Sequence, residues 1–300
     1  MRWFVVAAFA SGIAVRAFGA VPAPAPTPKS VPVPELTAEQ IVEKNVAARG
    51  GLEPWRKIQT MVWVGHMERA GGPMASMPFV LQQKRPNKTR FEVNAISQRS
   101  MRVFNGAHGW KARPAADGSP DVQEYTPQEA KFARDESVID GPLIDYQAKG
   151  SSVALEGVEQ VEGRKAYRLR LRLASGERHS VWVDAQTFLE IRYDRTSYNP
   201  AGVPGTVSVF YRDYKTIDGL QIPSVLEIGT GSGKAPDKMV IEKIALNPPL
   251  DDRVFARPGR PSKRHMVTIE PPPTPGTGAT PMRPPAAPAG AGPDAGSAPK

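Results

Sequence analysis

The residues that could carry chemistry are scattered along this chain, and their spacing argues against an active centre. His66, His108, His179 and His265 have no partners at metal-ligand intervals, so they read as strand or surface residues. There are no cysteines, which removes thiol nucleophiles, disulfides, thiolate metal sites and lipid attachment at an N-terminal cysteine. Asp184, Asp194 and Asp213 are spaced like the wet sides and ends of strands, not like an acid–base carboxylate pair. No Gly-x-Ser-x-Gly elbow occurs. The run Gly229 to Lys234 looks like a phosphate loop only superficially. Ile228 stands where its first glycine is needed, and Ala235 where the magnesium-binding hydroxyl belongs. Trp63, Trp110 and Trp182 could stack bases or sugars, but at strand positions indole rings read as core or rim. The expectation is a protein without catalysis and without a cofactor.

What these residues sit on is clearer. In Tyr167-Arg168-Leu169-Arg170-Leu171-Arg172-Leu173 every second residue is apolar and the others are arginine. Successive strand side chains point to opposite faces, so this segment has one greasy and one charged face. Val181 and Val183, then Leu189, Ile191 and Tyr193, then Val207, Val209 and Tyr211 continue the pattern, divided by turn residues such as Glu162-Gly163 and Ser175-Gly176. Further strands are expected at 60–69, 77–85, 89–95, 99–105, 108–112 and 121–125, and near 222–228 and 239–246. Phe79 and Leu81, Phe91 and Val93, and Met101 and Val103 keep the period of two. The fold class is therefore mainly β with a few helices, built on one large antiparallel sheet.

Three helical stretches interrupt the strands. Thr37 to Gln40 has capping-box spacing, so a helix should run to about Arg49 and end at Gly50-Gly51. Its thin apolar stripe must lie against something greasier, with a short turn around Trp55 and Ile58 packing the junction. Between Thr126 and Gly150 the alternation stops, and short helices are expected at Pro127 to Arg134 and at Pro142 to Ala148. The second would present Leu143, Ile144 and Tyr146 and is too short to be stable alone, so it should rest as a lid on the apolar face.

The ends read differently. Met1 to Ala20 has the form of a secretory signal: Arg2, an apolar run too short to span a bilayer, then small residues, with cleavage near Ala20. Val21 to Pro34 alternates proline with small residues and reads as a stiff linker. From Gly259 to Lys300 the chain turns to Pro, Gly and Ala and reads as disordered. The folded block is then 35–258, large enough for one sizeable core. The ends carry most of the formal charge of +9, and the basic residues of the block interleave with acidic ones, which argues against a nucleic-acid groove.

Several motifs of the block resemble those of the periplasmic outer-membrane lipoprotein carriers, the LolA-like proteins. They are Lys84-Arg85-Pro86-Asn87 at a strand end followed by Phe91, then Phe104-Asn105-Gly106 leading to Trp110, then Gly141-Pro142-Leu143-Ile144, and Phe255 to Pro258 as a closing Phe-x-x-Pro. Thr89 stands where that family has an aromatic residue, and the first hairpin and the long tail are unlike it. The resemblance covers about 36–258. It implies an unclosed barrel, a curved sheet whose hollow is covered by short helices. It implies a non-enzymatic, monomeric carrier in the periplasm, holding acyl chains of a lipoprotein or another lipid and meeting membrane-bound donor and acceptor proteins. By the same match Arg85 is the latch that holds the lid shut through hydrogen bonds to lid backbone, and Leu143, Ile144 and Tyr146 are the lid. The expected lining of the hollow is Trp63, Phe79, Leu81, Phe91, Val103 and Trp110 from the first strands. From the later ones it is Tyr167, Leu169, Leu171, Val181, Val183, Leu189 and Ile191. Related modules serve as envelope-stress sensors, so a protein-binding module without lipid cargo is the alternative.

Overall fold

A computed structural model describes residues 36–69, 76–95, 98–115, 119–136, 138–198, 204–230 and 235–259. The expected signal segment, linker and tail lie outside the described residues, as do the Gly71-Gly72-Pro73 turn and most of the glycine-rich loop after Gly229.

Two short helices lead into the sheet: α1 (Ala38–Ala48) and α2 (Leu52–Lys57). The expected capping box is present, with Thr37 Oγ1 accepting from Gln40 N–H at 3.3 Å and Gln40 Oε1 accepting from Thr37 N–H at 2.9 Å. Six strands follow: β1 (Thr60–Glu68), β2 (Met77–Lys84), β3 (Lys88–Ala95), β4 (Gln98–Phe104), β5 (Gly109–Pro114) and β6 (Pro120–Glu124). After α3 (Pro127–Glu136) come β7 (Ser152–Val161), β8 (Arg164–Arg172), β9 (Arg178–Asp184), β10 (Glu190–Tyr198), β11 (Pro204–Ile217), β12 (Leu220–Gly229) and β13 (Asp237–Leu246). All 13 strands form one sheet in the order β6-β5-β4-β3-β2-β1-β13-β12-β11-β10-β9-β8-β7, with antiparallel neighbours throughout. Each half is a meander, and β1 and β13 join the halves mid-sheet. The chain between β6 and β7 must therefore cross from one edge to the other.

That crossing requires strong curvature. Glu129 near the start of α3 meets Lys111 of β5 at 2.9 Å, and Glu136 at its end accepts from Tyr193 of β10 at 2.9 Å. In a flat sheet β5 and β10, eight positions apart, would be separated by roughly 38 Å at ~4.8 Å per strand. Seven helical residues span only about 11 Å. The sheet curls until the short helix reaches across, yet it stays unclosed, ending at β6 and β7.

The inner face holds the main core. Phe79, Leu169, Leu171, Val181 and Val183 are fully buried there, with Ile41 and Val42 of α1 and Leu143 of the crossing segment packed on top. A second cluster joins Trp55 and Ile58 to Ile139, Ile144, Leu220 and Ile222. The crossing segment itself corrects one expectation: residues 139–150 form a run of turns, not a helix over Pro142 to Ala148. Asp145 has φ +53°, a left-handed conformation that interrupts a right-handed helix. The Lys149 ammonium donates to the carbonyls of Gly141 at 2.7 Å and Ile144 at 2.5 Å, so tertiary bonds stand in for helical ones.

Candidate functional site

The crossing segment lies on the inner face as a flap, and its fastenings are ionic. Arg85, at the end of β2, donates to the backbone carbonyls of Ile58 (2.7 Å) and Trp55 (3.0 Å), and to Asp140 Oδ2 at 2.6 Å. The resemblance implied bonds to lid backbone. Here the backbone bonds go to the α2 region, and the flap is reached through a side-chain carboxylate. Asp140 is buried and also accepts from Lys149 at 2.5 Å. Burial draws the Lys149 amine below its ordinary range, with Asp140 opposing that shift. A second clasp is bidentate, from Arg56 to Asp145 at 2.8 and 3.0 Å, and its bond to Arg56 lowers the Asp145 carboxyl. From these clasps hang Leu143 and Ile144, both fully buried, and the partly buried Tyr146. Asp140, Lys149 and Arg56 carried no sequence signal as partners.

Beneath the flap is a cavity of about 280 Å³. Ile139, Gly141 and Pro142 roof it, and Trp63, Leu81, Leu226, Ile228 and Met239 form much of its apolar wall. Another cavity of about 390 Å³, lined by Lys149, Ser151, Leu173 and Ser175 among others, shares Asp135, Val138 and Pro142 with it. Those three residues are thus a partition between the two.

The expected lining divides. Trp63, Phe79, Leu81, Phe91, Tyr167, Leu169, Leu171, Val181 and Val183 do belong to the inner-face core. Val103 and Trp110 do not. Directly opposite residues of an antiparallel pair share a face, and the register places Val103 opposite Arg90 and Trp110, while Phe91 of the inner face is opposite Arg102. Val103 and Trp110 are therefore on the outer face. The sequence pattern misleads because that outer face is itself covered. Lys84 donates to Leu250 O at 3.0 Å, Lys88 pairs with Asp252 at 2.9 Å, and Arg90 donates to Val254 O at 3.0 Å, laying the chain after β13 across β2 and β3. Ile191 also faces outward, clustered with Val161, Ala166 and Trp182, because a bulge between Glu190 and Arg192 reverses the alternation. In the turn before β10 it is Phe188, at φ +57°, and not Leu189 that packs into the inner core, stacked 6.1 Å from the Tyr167 ring.

The cavity wall is more polar than an oily hollow. Arg49, the C-cap residue of α1, pairs with Glu190 at 2.8 Å and donates to Gln221 O at 2.8 Å, both ions being buried. Tyr214 donates to the carbonyl of Glu190 at 3.0 Å. Tyr211 also lines the cavity. Burial, reinforced by Glu190 and Glu136, pushes its hydroxyl pKa up, so it stays protonated. On the α3 side Glu136 accepts from Tyr193 and lies 3.4 Å from Arg195. The Tyr193 hydroxyl is 2.5 Å from His179 Nδ1. Burial raises the Glu136 carboxyl, while burial and then Arg195 lower His179 to about 4. His179 is thus a buried neutral group in a hydrogen-bonded chain. Among the described residues no group of three or more His, Asp or Glu is arranged to hold a metal ion.

A strongly curved, unclosed antiparallel sheet with short helices on its concave face is the architecture that the resemblance to the LolA-like proteins implied. No protein-family profile matches the chain, and no curated protein matches it in sequence. Solved structures do resemble it. A DUF1329 family protein from Desulfovibrio piger is 14% identical, with 73% of this chain and 97% of that one covered and a TM-score of 0.49. A LolA superfamily protein from Nitrosomonas europaea is 14% identical over 74% and 98%, with a TM-score of 0.48. A domain from Vibrio parahaemolyticus described as an outer membrane lipoprotein-sorting protein is 9% identical over 72% and 94%, at 0.47. With identities this low and TM-scores below 0.5, no role is carried over from them to this chain.

Proposed function

We propose that this is an exported, non-enzymatic binding protein that takes acyl chains of a lipoprotein or another lipid into the hollow of its sheet. The observation that carries this reading is the cavity of about 280 Å³ between the inner face and a flap held by a few side chains. It is almost twice the ~150 Å³ engineered cavity that accepts benzene. At ~30 Å³ per methylene-sized unit, close to a water molecule's share of liquid volume, it holds a chain of about nine or ten carbons. Burying ten methylenes gains roughly 8 kcal/mol before ordering costs. Longer chains need the flap to lift, which removes the partition at Asp135, Val138 and Pro142 and joins the two cavities. Leu143, Ile144 and Tyr146 then give up their places to the guest.

The N-terminal segment directs the chain to the periplasm, where it works as a monomer and exchanges cargo with membrane-bound donor and acceptor proteins. A protein-binding module without lipid cargo would be better served by a hollow filled with its own side chains. The test is titration of delipidated protein with an environment-sensitive fatty-acyl probe, followed by displacement with lipoprotein or fatty acid. Saturable, competable binding is expected; a protein that binds no probe at any attainable concentration would overturn the reading.

A further inference from the structure

The hairpin that joins β8 to β9 carries two arginines that the sheet leaves without a counter-charge. Leu171 and Leu173 belong to the inner core, so Arg172 between them points outward, directly opposite Arg178 of β9. Both are exposed, and among the described residues neither forms an ion pair or a side-chain hydrogen bond. Every other arginine of β8 to β11 has a carboxylate at 3.4 Å or less, Arg168 and Arg170 even sharing Glu156. Like charges directly opposite each other across two strands are destabilising, so folding does not account for this pair.

The inner side of the same tip borders the larger cavity. Leu173, Ala174 and Ser175 line that cavity of about 390 Å³ together with Arg134 from the last turn of α3. Arg134 is exposed and also forms no ion pair among the described residues, so a third unneutralised guanidinium stands at the cavity mouth. Most carboxylates nearby are engaged. Glu177 pairs with Lys131 at 2.5 Å, Glu136 with Arg195, and Asp140 with Lys149. Asp135, which accepts from Ser175 at 2.7 Å, is the one carboxylate lining this cavity, and against three arginines it leaves the tip and mouth net positive.

We propose that the β8–β9 tip and the last turn of α3 dock on an anionic bilayer, with Arg172, Arg178 and Arg134 against lipid phosphates and the cavity mouth facing the headgroups. The three charges lie on both sides of the tip. A plane of phosphates meets them all, whereas an acidic peptide lying on one face of the sheet would not. The purpose of docking rests on the lipid-binding reading above: a cavity that opens onto the membrane receives an acyl chain without carrying it through water.

The experiment is sedimentation of the exported protein, tail included, with phosphatidylglycerol and with phosphatidylcholine vesicles. The tail is itself basic, so the readout is the difference between variants that share it. Each arginine near an anionic surface contributes about fivefold to partitioning. Arg172→Gln with Arg178→Gln should therefore weaken binding to phosphatidylglycerol roughly 25-fold, and adding Arg134→Gln should bring the loss to about a hundredfold. These differences should shrink at about 1 M salt, where charges are screened beyond ~3 Å. Lys165→Gln with Lys215→Gln removes the same charge from the opposite end of the strands and should change binding less than about twofold. Relief of a like-charge contact should leave the melting temperature of the arginine pair variant at or above wild type; if it does not, Arg178→Gln alone, with about a fivefold loss, takes its place. Equal losses in the arginine and lysine variants would make net charge the cause and overturn the proposal. So would a wild-type protein that ignores phosphatidylglycerol vesicles, or is retained only by an acidic polypeptide. Acyl-probe titration in solution keeps the two readings apart: a wild type that docks on vesicles and binds no probe overturns the lipid-binding reading and leaves the docking.

Discussion

Arg85→Leu separates a latch from a brace. Arg85 makes two bonds to the α2 region, at Ile58 O and Trp55 O, and one to the flap, at Asp140. Only the last is broken when the flap lifts. A hydrogen bond to a charged group contributes about 1.5–3 kcal/mol, so its loss should raise the open population roughly ten- to a hundredfold. Where binding requires the open form, apparent Kd equals the intrinsic Kd divided by the open fraction. The acyl-probe Kd should therefore fall by the same factor while the closed form still dominates, and the association rate should rise with it. Global stability should fall too, because the α2 bonds are lost. Asp140→Asn, which removes the charge and leaves the α2 bonds in place, should move affinity the same way by less. The measurements are probe titration and stopped-flow association, with urea unfolding as the control. Affinity unchanged or weakened in a folded Arg85→Leu variant would refute the latch and leave Arg85 as a brace for α2.

Three further outcomes follow from the geometry. His179 is neutral in the fold, with its pKa depressed to about 4; the unfolded chain takes up the proton first, so its contribution is lost as pH falls from 6.5 towards 4, by up to about 3 kcal/mol. Glu136, raised by burial, acts in the opposite sense, and Arg195 and Glu177 face the same ring, so the comparison is of wild type with His179→Phe in urea melts at pH 7 and 4.5; the variant should lose less on acidification, and equal losses would contradict the assignment. Leu143→Ala, at a fully buried flap position, should cost about 2–5 kcal/mol and tighten probe binding by enlarging the cavity, checked by calorimetry and titration. Gly65→Ala should destabilise by about 3 kcal/mol or more, because an added Cβ would overlap the Val240 carbonyl at the bulge where β1 meets β13; a melting temperature near wild type would refute that close approach.

The strands were legible because the inner face is buried along nearly its whole length, which enforces a period of two from Trp63 through Val209. The face was misread at Val103 because the outer side is covered beside it, at Arg90 of β3, so an apolar buried residue no longer marks the inner side; Trp110 shares that outer face by register. At Ile191 a single inserted residue inverted the alternation. The flap looked helical by composition, and bonds from Lys149 and Arg56, made only after the chain folds back, chose turns instead. The Arg49–Glu190 pair joins residues 141 positions apart, a distance at which no local pattern operates.

The seam where β1 meets β13 pairs Met61 with Leu246, while most other strand pairings join sequence neighbours through short turns. As the chain is made from its N-terminus, the first meander can form with one side of β1 unsatisfied, and it must wait for almost the entire block before that side is filled. Closing so long a loop is entropically slow. The mid-sheet seam cannot be made before β13 is available, and until then β1 is an open edge on which a second nascent chain could pair.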